Sequence, residues 1–290
     1  MAVKTPVYNT VAMHTVAILG AGELGAETAR ALACQDLVTS ILLVDAAAAV
    51  AAGKALDIQQ SGPVEGFDTR IDGTADLTRV MGADVVVLAG DHGQGETVGE
   101  RALQLLDRVN QMAPRAVLLA AGASQRDVLG LAMRELRIPA RRLIGSAPLA
   151  AVSAARALVA LDLEASPAEV NLTVLGAPPR WIVAWNDSSL GGAPLTQLLP
   201  PPAIARIERQ LQSSWPAGVY QLASAAAAVV AAMLTESRRR LCCFASDGDR
   251  LGTPAHVALP VLLGPGGIRA IHTPLLDQRD RVALDALLRG

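Results

Sequence analysis

The sequence predicts an α/β protein: a doubly wound parallel sheet followed by a second, α+β domain. Short apolar runs alternate with helical stretches through the first half, the pattern of a parallel sheet covered by helices. After about residue 147 the alternation gives way to a long helix, two strand-like runs, further helices and a hairpin-like stretch. Composition agrees, since 51% hydrophobic and 18% charged residues over 290 positions exclude a disordered chain. With three Trp, two Tyr and two Phe, the core must come from Ala, Leu and Val. Such side chains bury little area each, at ~25 cal/mol per Å², so a homo-oligomer is expected.

In order, residues 1–13 read as a short extension, and His14 to Leu19 (HTVAIL) as the first strand. The turn Gly20-Ala21-Gly22-Glu23-Leu24-Gly25 follows, then an Ala-rich helical stretch from Ala26 to Cys34. Ser40 to Val44 is a second strand and ends in Asp45. Strand-like runs recur at Asp84 to Ala89, Ala116 to Ala121 and Leu143 to Gly145, separated by helical runs including Glu100 to Gln111 and Asp127 to Leu136. In the second half a helix is expected from about Pro148 to Leu161, with strands at Val170 to Leu175 and Trp181 to Trp185. The domains are placed at 14–147 and 148–290.

Strand, glycine turn, helix, strand and acid form the order of a Rossmann-like dinucleotide-binding unit. Gly20 permits the tight turn, Gly22 admits a pyrophosphate close to the backbone, and Gly25 lets helix and strand pack. The helix start offers free N–H groups and the positive end of its dipole to phosphates. Asp45, twenty residues after Gly25, can take both hydroxyls of an adenine ribose and would repel a 2′-phosphate. NAD is therefore expected rather than NADP.

Other classes are disfavoured. With 25 Lys+Arg against 27 Asp+Glu the net charge is −2, without the basic excess of a nucleic-acid binder. Gln210 to Thr235 carries no charge, but its polar residues and Pro216 leave only Leu222 to Leu234 truly apolar, which fits a buried helix and no membrane span. Cys34, Cys242 and Cys243 give neither a disulfide framework nor metal-ligand spacing and read as inert buried thiols in a cytoplasmic protein. Arg238-Arg239-Arg240 reads as a solvated cluster at a helix end. His14, His256 and His272 read as structural, in strands or at their edges.

Several segments together resemble the lactate/malate dehydrogenase family, in particular bacterial malate dehydrogenases of lactate-dehydrogenase type. They are GAGELG, Asp45, Gly53 to Asp57 (GKALD), Gly62 to Asp68 (GPVEGFD), Gly73-Thr74 and Asp84 to Gly90 (DVVVLAG). Ile144-Gly145-Ser146, Gly191 to Leu195 (GGAPL) and Leu259 to Gly267 (LPVLLGPGG) extend the likeness over roughly 14–289. The resemblance implies dimers or tetramers and a cofactor wall of Gly20, Gly22, Glu23, Leu24, Gly25, Asp45, Ala89, Gly90 and Ser124. It also implies hydride transfer between a 2-hydroxy acid and nicotinamide, with a His base held by an Asp and an Arg clamping the substrate carboxylate.

Carried over position by position, that catalytic set is missing. Counting from Ile144-Gly145-Ser146 to Arg156, the family's Asp and Arg fall at Ala151 and Ala154. The base falls at Pro178, after Val174-Leu175-Gly176, with Pro179 and Arg180 where the family prefers Gly and Asp. The family's Asn at the end of the fifth strand falls at Ser124. Removing a general base alone costs ~10²–10⁴ in rate, and a charge-assisted carboxylate contact contributes ~1.5–3 kcal/mol.

Substitutes are few. His92, in Asp91-His92-Gly93-Gln94-Gly95, lies where the family's mobile loop begins and is a candidate base; Arg101 or Arg180 could hold a small anionic ligand. Against Arg180, two prolines stiffen its turn, and Trp181 with Trp185 can fill the vacated pocket. The chain between Pro200 and Tyr220 is also shorter than in the family, where a helix walls the substrate pocket. Three functions follow: an NAD-binding pseudoenzyme, an oxidoreductase of altered chemistry built on His92, or a structural subunit beside an active paralogue.

Overall fold

The computed structural model describes residues 14–246, 256–272 and 274–289. The extension at 1–13 lies outside these. The first half is the parallel unit: β1 (Thr15–Leu19), α1 (Glu23–Ala33), β2 (Ser40–Val44), α2 (Ala48–Glu65), β3 (Arg70–Thr74), β4 (Val85–Leu88), α3 (Gly99–Met112), β5 (Val117–Ala120), α4 (Arg126–Glu135) and β6 (Leu143–Gly145). The strands run parallel in the order β3-β2-β1-β4-β5-β6, so the strand order reverses between β1 and β4. A crevice at the carboxyl ends of strands beside such a reversal is where this architecture binds ligands.

Two elements of this half left little sequence signal. In β3 only Ile71 is buried, because the strand forms the sheet's edge. In α2 the buried residues Ala51, Ala55, Ile58 and Gly62 form one stripe, which the surrounding alanines conceal. Gly62 leaves room for the Phe67 ring, whose nearest carbon would lie 3.2 Å from a Cβ there.

The second half comprises α5 (Ala147–Asp162), β7 (Val174–Ala177), β8 (Arg180–Val183), α6 (Pro201–Ser213), α7 (Val219–Leu234), β9 (Arg240–Ala245), β10 (Val257–Gly264), β11 (Gly267–Ile271) and α8 (Gln278–Arg289). Its strands are antiparallel and extend the same sheet, with β9 joined to β6 through Phe244 opposite Gly145. α7 is lined by Leu222, Ala223, Ala226, Ala227, Val230 and Met233, all buried, and packs on α1 and α5. No helix among the described residues is long and apolar enough to cross a membrane.

Several expectations need correction. The run from Val170 to Leu175 is not one strand: Val170–Asn171 joins a separate small sheet and β7 begins at Val174. β8 stops at Val183, because Trp185 turns away to donate its indole Nε1–H to Glu208 Oε1 at 2.9 Å. Arg238, Arg239 and Arg240 are exposed but lie beyond the end of α7, with Arg240 opening β9. Cys34 is exposed beside Glu65 and Arg30 rather than buried. Cys242 and Cys243 are buried in β9, and burial pushes the Cys242 thiol up to about 11.

Candidate functional site

The glycine turn is built by backbone contact. Gly20 adopts φ +101°, a left-handed conformation that favours glycine, and donates its N–H to Val44 O at 2.7 Å. Gly22 donates to Gly90 O at 3.0 Å, and a Cβ at Gly22 would stand 2.5 Å from that oxygen. The smallness of Gly22 is thus used first by the protein itself, to admit the Gly90 carbonyl. Gly25 packs on the Gly20 carbonyl, with no room for a Cβ. The first N–H groups of α1 have no intrahelical acceptor, and Gly22, Glu23 and Leu24 at this helix start line a cavity of about 570 Å³.

Asp45 closes the turn. Its Oδ2 accepts the N–H of Ala21 at 2.7 Å and that of His92 at 2.9 Å, while Oδ1 accepts Ala47 N–H at 2.9 Å. Burial pushes this carboxyl up, but the N–H donors of Ala47, His92 and Ala21 outweigh it and hold it below the usual carboxylate range. A carboxylate has about four acceptor positions, so capacity remains for a ribose hydroxyl. Beside it, Val44, Ala46, Ala75, Leu77 and Leu105, together with Asp91, Arg101, Gln104 and Arg108, line a second cavity of about 300 Å³. A slot with an apolar wall and a charged wall beside an acid, near a helix start, fits the adenosine and pyrophosphate of a dinucleotide.

Residues 90–96 form a small hairpin, Gly90-Asp91 paired with Gly95-Glu96. His92 sits exposed at its tip and lines the larger cavity with Gly93, Gly95, Lys54 and Ser124. Arg101 is paired with Asp91 and Gln94 of the same hairpin, so its guanidinium is already engaged and braces the strap. Lys54 donates to Ala21 O at 2.8 Å.

Two residues that sequence reasoning missed complete this end. Glu96 accepts the backbone N–H groups of Ala123 and Ser124, both at 2.8 Å, just before α4. Gln125 is fully buried; it donates to Ala89 O at 2.5 Å and to Thr97 O at 3.1 Å, and accepts Gly122 N–H at 2.8 Å. Together they tie the hairpin to the ends of β4 and β5. The sequence gap of 27 residues between Glu96 and Ala123 carries no local pattern that could have revealed the contact.

The remaining candidate positions lie elsewhere. Ala151 is buried in α5 and Ala154 half-buried; Pro178 is half-buried at the β7–β8 turn, and Arg180 is exposed. None of the four lines the larger cavity, and no arginine is found among its described lining residues. Trp181 is buried, but with Trp215 rather than Trp185: the rings meet edge to face at 4.9 Å, and Phe244 stacks on Trp181 at 6.1 Å. The Gln212 amide brackets its backbone, accepting Trp181 N–H at 2.9 Å and donating to Trp181 O at 2.7 Å. Next to Trp215, Pro216 and Ala217 form a wall of the larger cavity.

Comparison with known proteins places this geometry. Residues 14–126 match the profile described as lactate/malate dehydrogenase, NAD binding domain. The chain is 30% identical over 291 aligned positions to a malate dehydrogenase of Thermomicrobium roseum, covering 93% of each. It is 29% identical to one of Thioalkalivibrio sulfidiphilus, over 96% of this chain and 97% of that protein. Among solved structures, a malate dehydrogenase from Salinibacter ruber superposes with a TM-score of 0.84 at 24% identity, covering 94% of this chain and 93% of that one. A lactate dehydrogenase from Cryptosporidium parvum, complexed with lactic acid and NAD, superposes with a TM-score of 0.85 at 20% identity, over 96% and 95% of the two chains.

Proposed function

Since the chain belongs to the lactate/malate dehydrogenase family, whose profile over 14–126 is that of an NAD-binding domain, we propose that it binds NAD and has given up the family's chemistry. The observation that carries this reading is the make-up of the larger cavity. Its described lining holds Glu23 and Glu96, with Asp91 already paired to Arg101, but no arginine, and its one lysine is bonded to a backbone carbonyl. A 2-hydroxy acid brings a carboxylate, which would meet like charge there and no bidentate partner. Ala151, Ala154 and Pro178 stand where the resemblance would put an Asp, an Arg and the His base, so no proton acceptor is offered at those positions either.

When bound, NAD would supply a hydride acceptor. The chain's own residues divide the remaining work. Asp45 takes one ribose hydroxyl rather than both, the α1 N–H groups hold phosphate, and the 90–96 hairpin lies over the turn between them. Calorimetric titration with NAD, beside assays of malate and lactate oxidation, tests the proposal. Saturable binding with turnover near background is expected; turnover at rates ordinary for a malate dehydrogenase overturns it.

A second reading rests on His92, which lines the same cavity and could accept a proton from an alcohol there. Turnover of any 2-hydroxy acid that His92→Ala abolishes would favour it over the first. We also propose that 14–147 and 148–290 act as cofactor and former substrate domains and that the chain is a homo-oligomer in the cytoplasm.

A further inference from the structure

We infer that Glu96 makes the cleft discriminate between the two redox states of the cofactor, holding oxidised NAD more tightly than NADH. The inference rests on the proposal that the chain binds NAD, and adds to it what the binding reads. A dinucleotide in this architecture lies across the carboxyl ends of the parallel strands, over the reversal in strand order. With the ribose-reading acid Asp45 at the end of β2 and phosphate at the start of α1, the nicotinamide half falls over the ends of β4 and β5. Those ends are where the structure places the Glu96 carboxylate, fixed by the N–H groups of Ala123 and Ser124.

The nearby charges leave a negative balance. Asp91 is neutralised by Arg101. Lys54 is held on Ala21 O, on the side where Glu23, Glu27, Arg30 and Asp57 also gather. Glu96 therefore faces the nicotinamide end without a cationic partner among the described residues lining that cavity. The oxidised nicotinamide ring carries a positive charge and the reduced ring none, while the pyrophosphate is the same in both. A carboxylate near the ring stabilises the oxidised form alone. At an effective dielectric of roughly 20, even a unit charge about 10 Å away shifts such an equilibrium by about tenfold. A protein without turnover but with this preference would report the oxidation state of the pool.

The test is calorimetric titration of the full chain with NAD and with NADH, for wild type, Glu96→Gln and Glu23→Gln, each checked for folding by circular dichroism. Wild type is expected to bind NAD about tenfold more tightly than NADH. Glu96→Gln keeps an oxygen acceptor and removes the charge, and should cut the ratio by about fivefold or more. Glu23 sits at the helix start that would hold the phosphates, so Glu23→Gln should tighten both forms alike and leave the ratio unchanged. Equal affinities in wild type, or a ratio indifferent to Glu96→Gln, overturn the inference while leaving NAD binding in place. If neither form binds wild type, the cofactor reading itself is removed, and this inference with it.

Discussion

Asp45 Oδ2 accepts the backbone N–H of His92 at 2.9 Å across 47 residues of sequence. The same oxygen holds Ala21 N–H at 2.7 Å, so one carboxylate joins the glycine turn to the hairpin that lies over it. Replacing Asp45 by Ala leaves both donors without this acceptor, and should cost about 1–3 kcal/mol in a urea melt. The same variant should lose NAD affinity, since the acceptor we propose for the ribose is gone. Loss of affinity without loss of stability would show that the hairpin is not latched here.

The depressed Asp45 pKa gives this latch a pH dependence. A carboxyl ionised more easily in the folded than in the unfolded chain contributes stability above its unfolded value, near 3.9. That contribution is lost as pH falls through the folded value. Wild type should therefore lose stability below about pH 4, and Asp45→Asn should flatten that part of the profile. Melts in citrate and formate buffers would measure it.

Gly25 and Gly53 should respond oppositely to alanine. A Cβ at Gly25 runs into the Gly20 carbonyl, which is backbone and has nowhere to move. Gly25→Ala should destabilise the fold and abolish NAD binding. At Gly53, exposed inside α2, a Cβ meets nothing within 4 Å, so Gly53→Ala should stabilise by about 0.5–1 kcal/mol. Thermal melts of the two variants decide it.

Trp181 carries its ring in the core, but its buried indole Nε1–H has no hydrogen-bond partner among the described residues. Trp181→Phe keeps much of the contact with Trp215 and Phe244 and removes that orphan donor, so the two effects should nearly cancel. Trp181→Ala removes the ring and should cost about 3–5 kcal/mol. A Phe variant as damaged as the Ala variant would show that the N–H has a partner in solution.

Thiol chemistry should single out Cys34. It is exposed, while burial and a hydrogen bond to Glu65 hold its thiol above the usual range. Iodoacetamide should modify only this cysteine in the folded protein, slowly at neutral pH and faster as pH rises. Glu65→Gln should accelerate it. Denaturant should release Cys242 and Cys243, and mass spectrometry counts the adducts.

What was legible in the sequence follows the range of the interactions involved. β1, β2 and β6 are apolar runs with turns behind them, and the glycines before α1 answer to neighbours a few residues away. β3 escaped notice because an edge strand buries little. Glu96 and Gln125 escaped because their partners lie on other strands, and the Trp181–Trp215 contact joins a hairpin to the link between α6 and α7. The acid at the end of β2 was readable from its spacing; the bond from His92 to Asp45 was not, because that depends on where the hairpin comes to rest.

The seam between α1 and α7 carries a mechanical consequence. Ala223, Ala226 and Ala227 on α7, and Ala29 and Ala33 on α1, are buried at 0% exposure, and the two helices pack closely on one another. Close-packed interiors transmit displacement instead of absorbing it. A shift at the start of α1, where we propose that the cofactor phosphates sit, would therefore be passed to α7 in the second half of the molecule as movement.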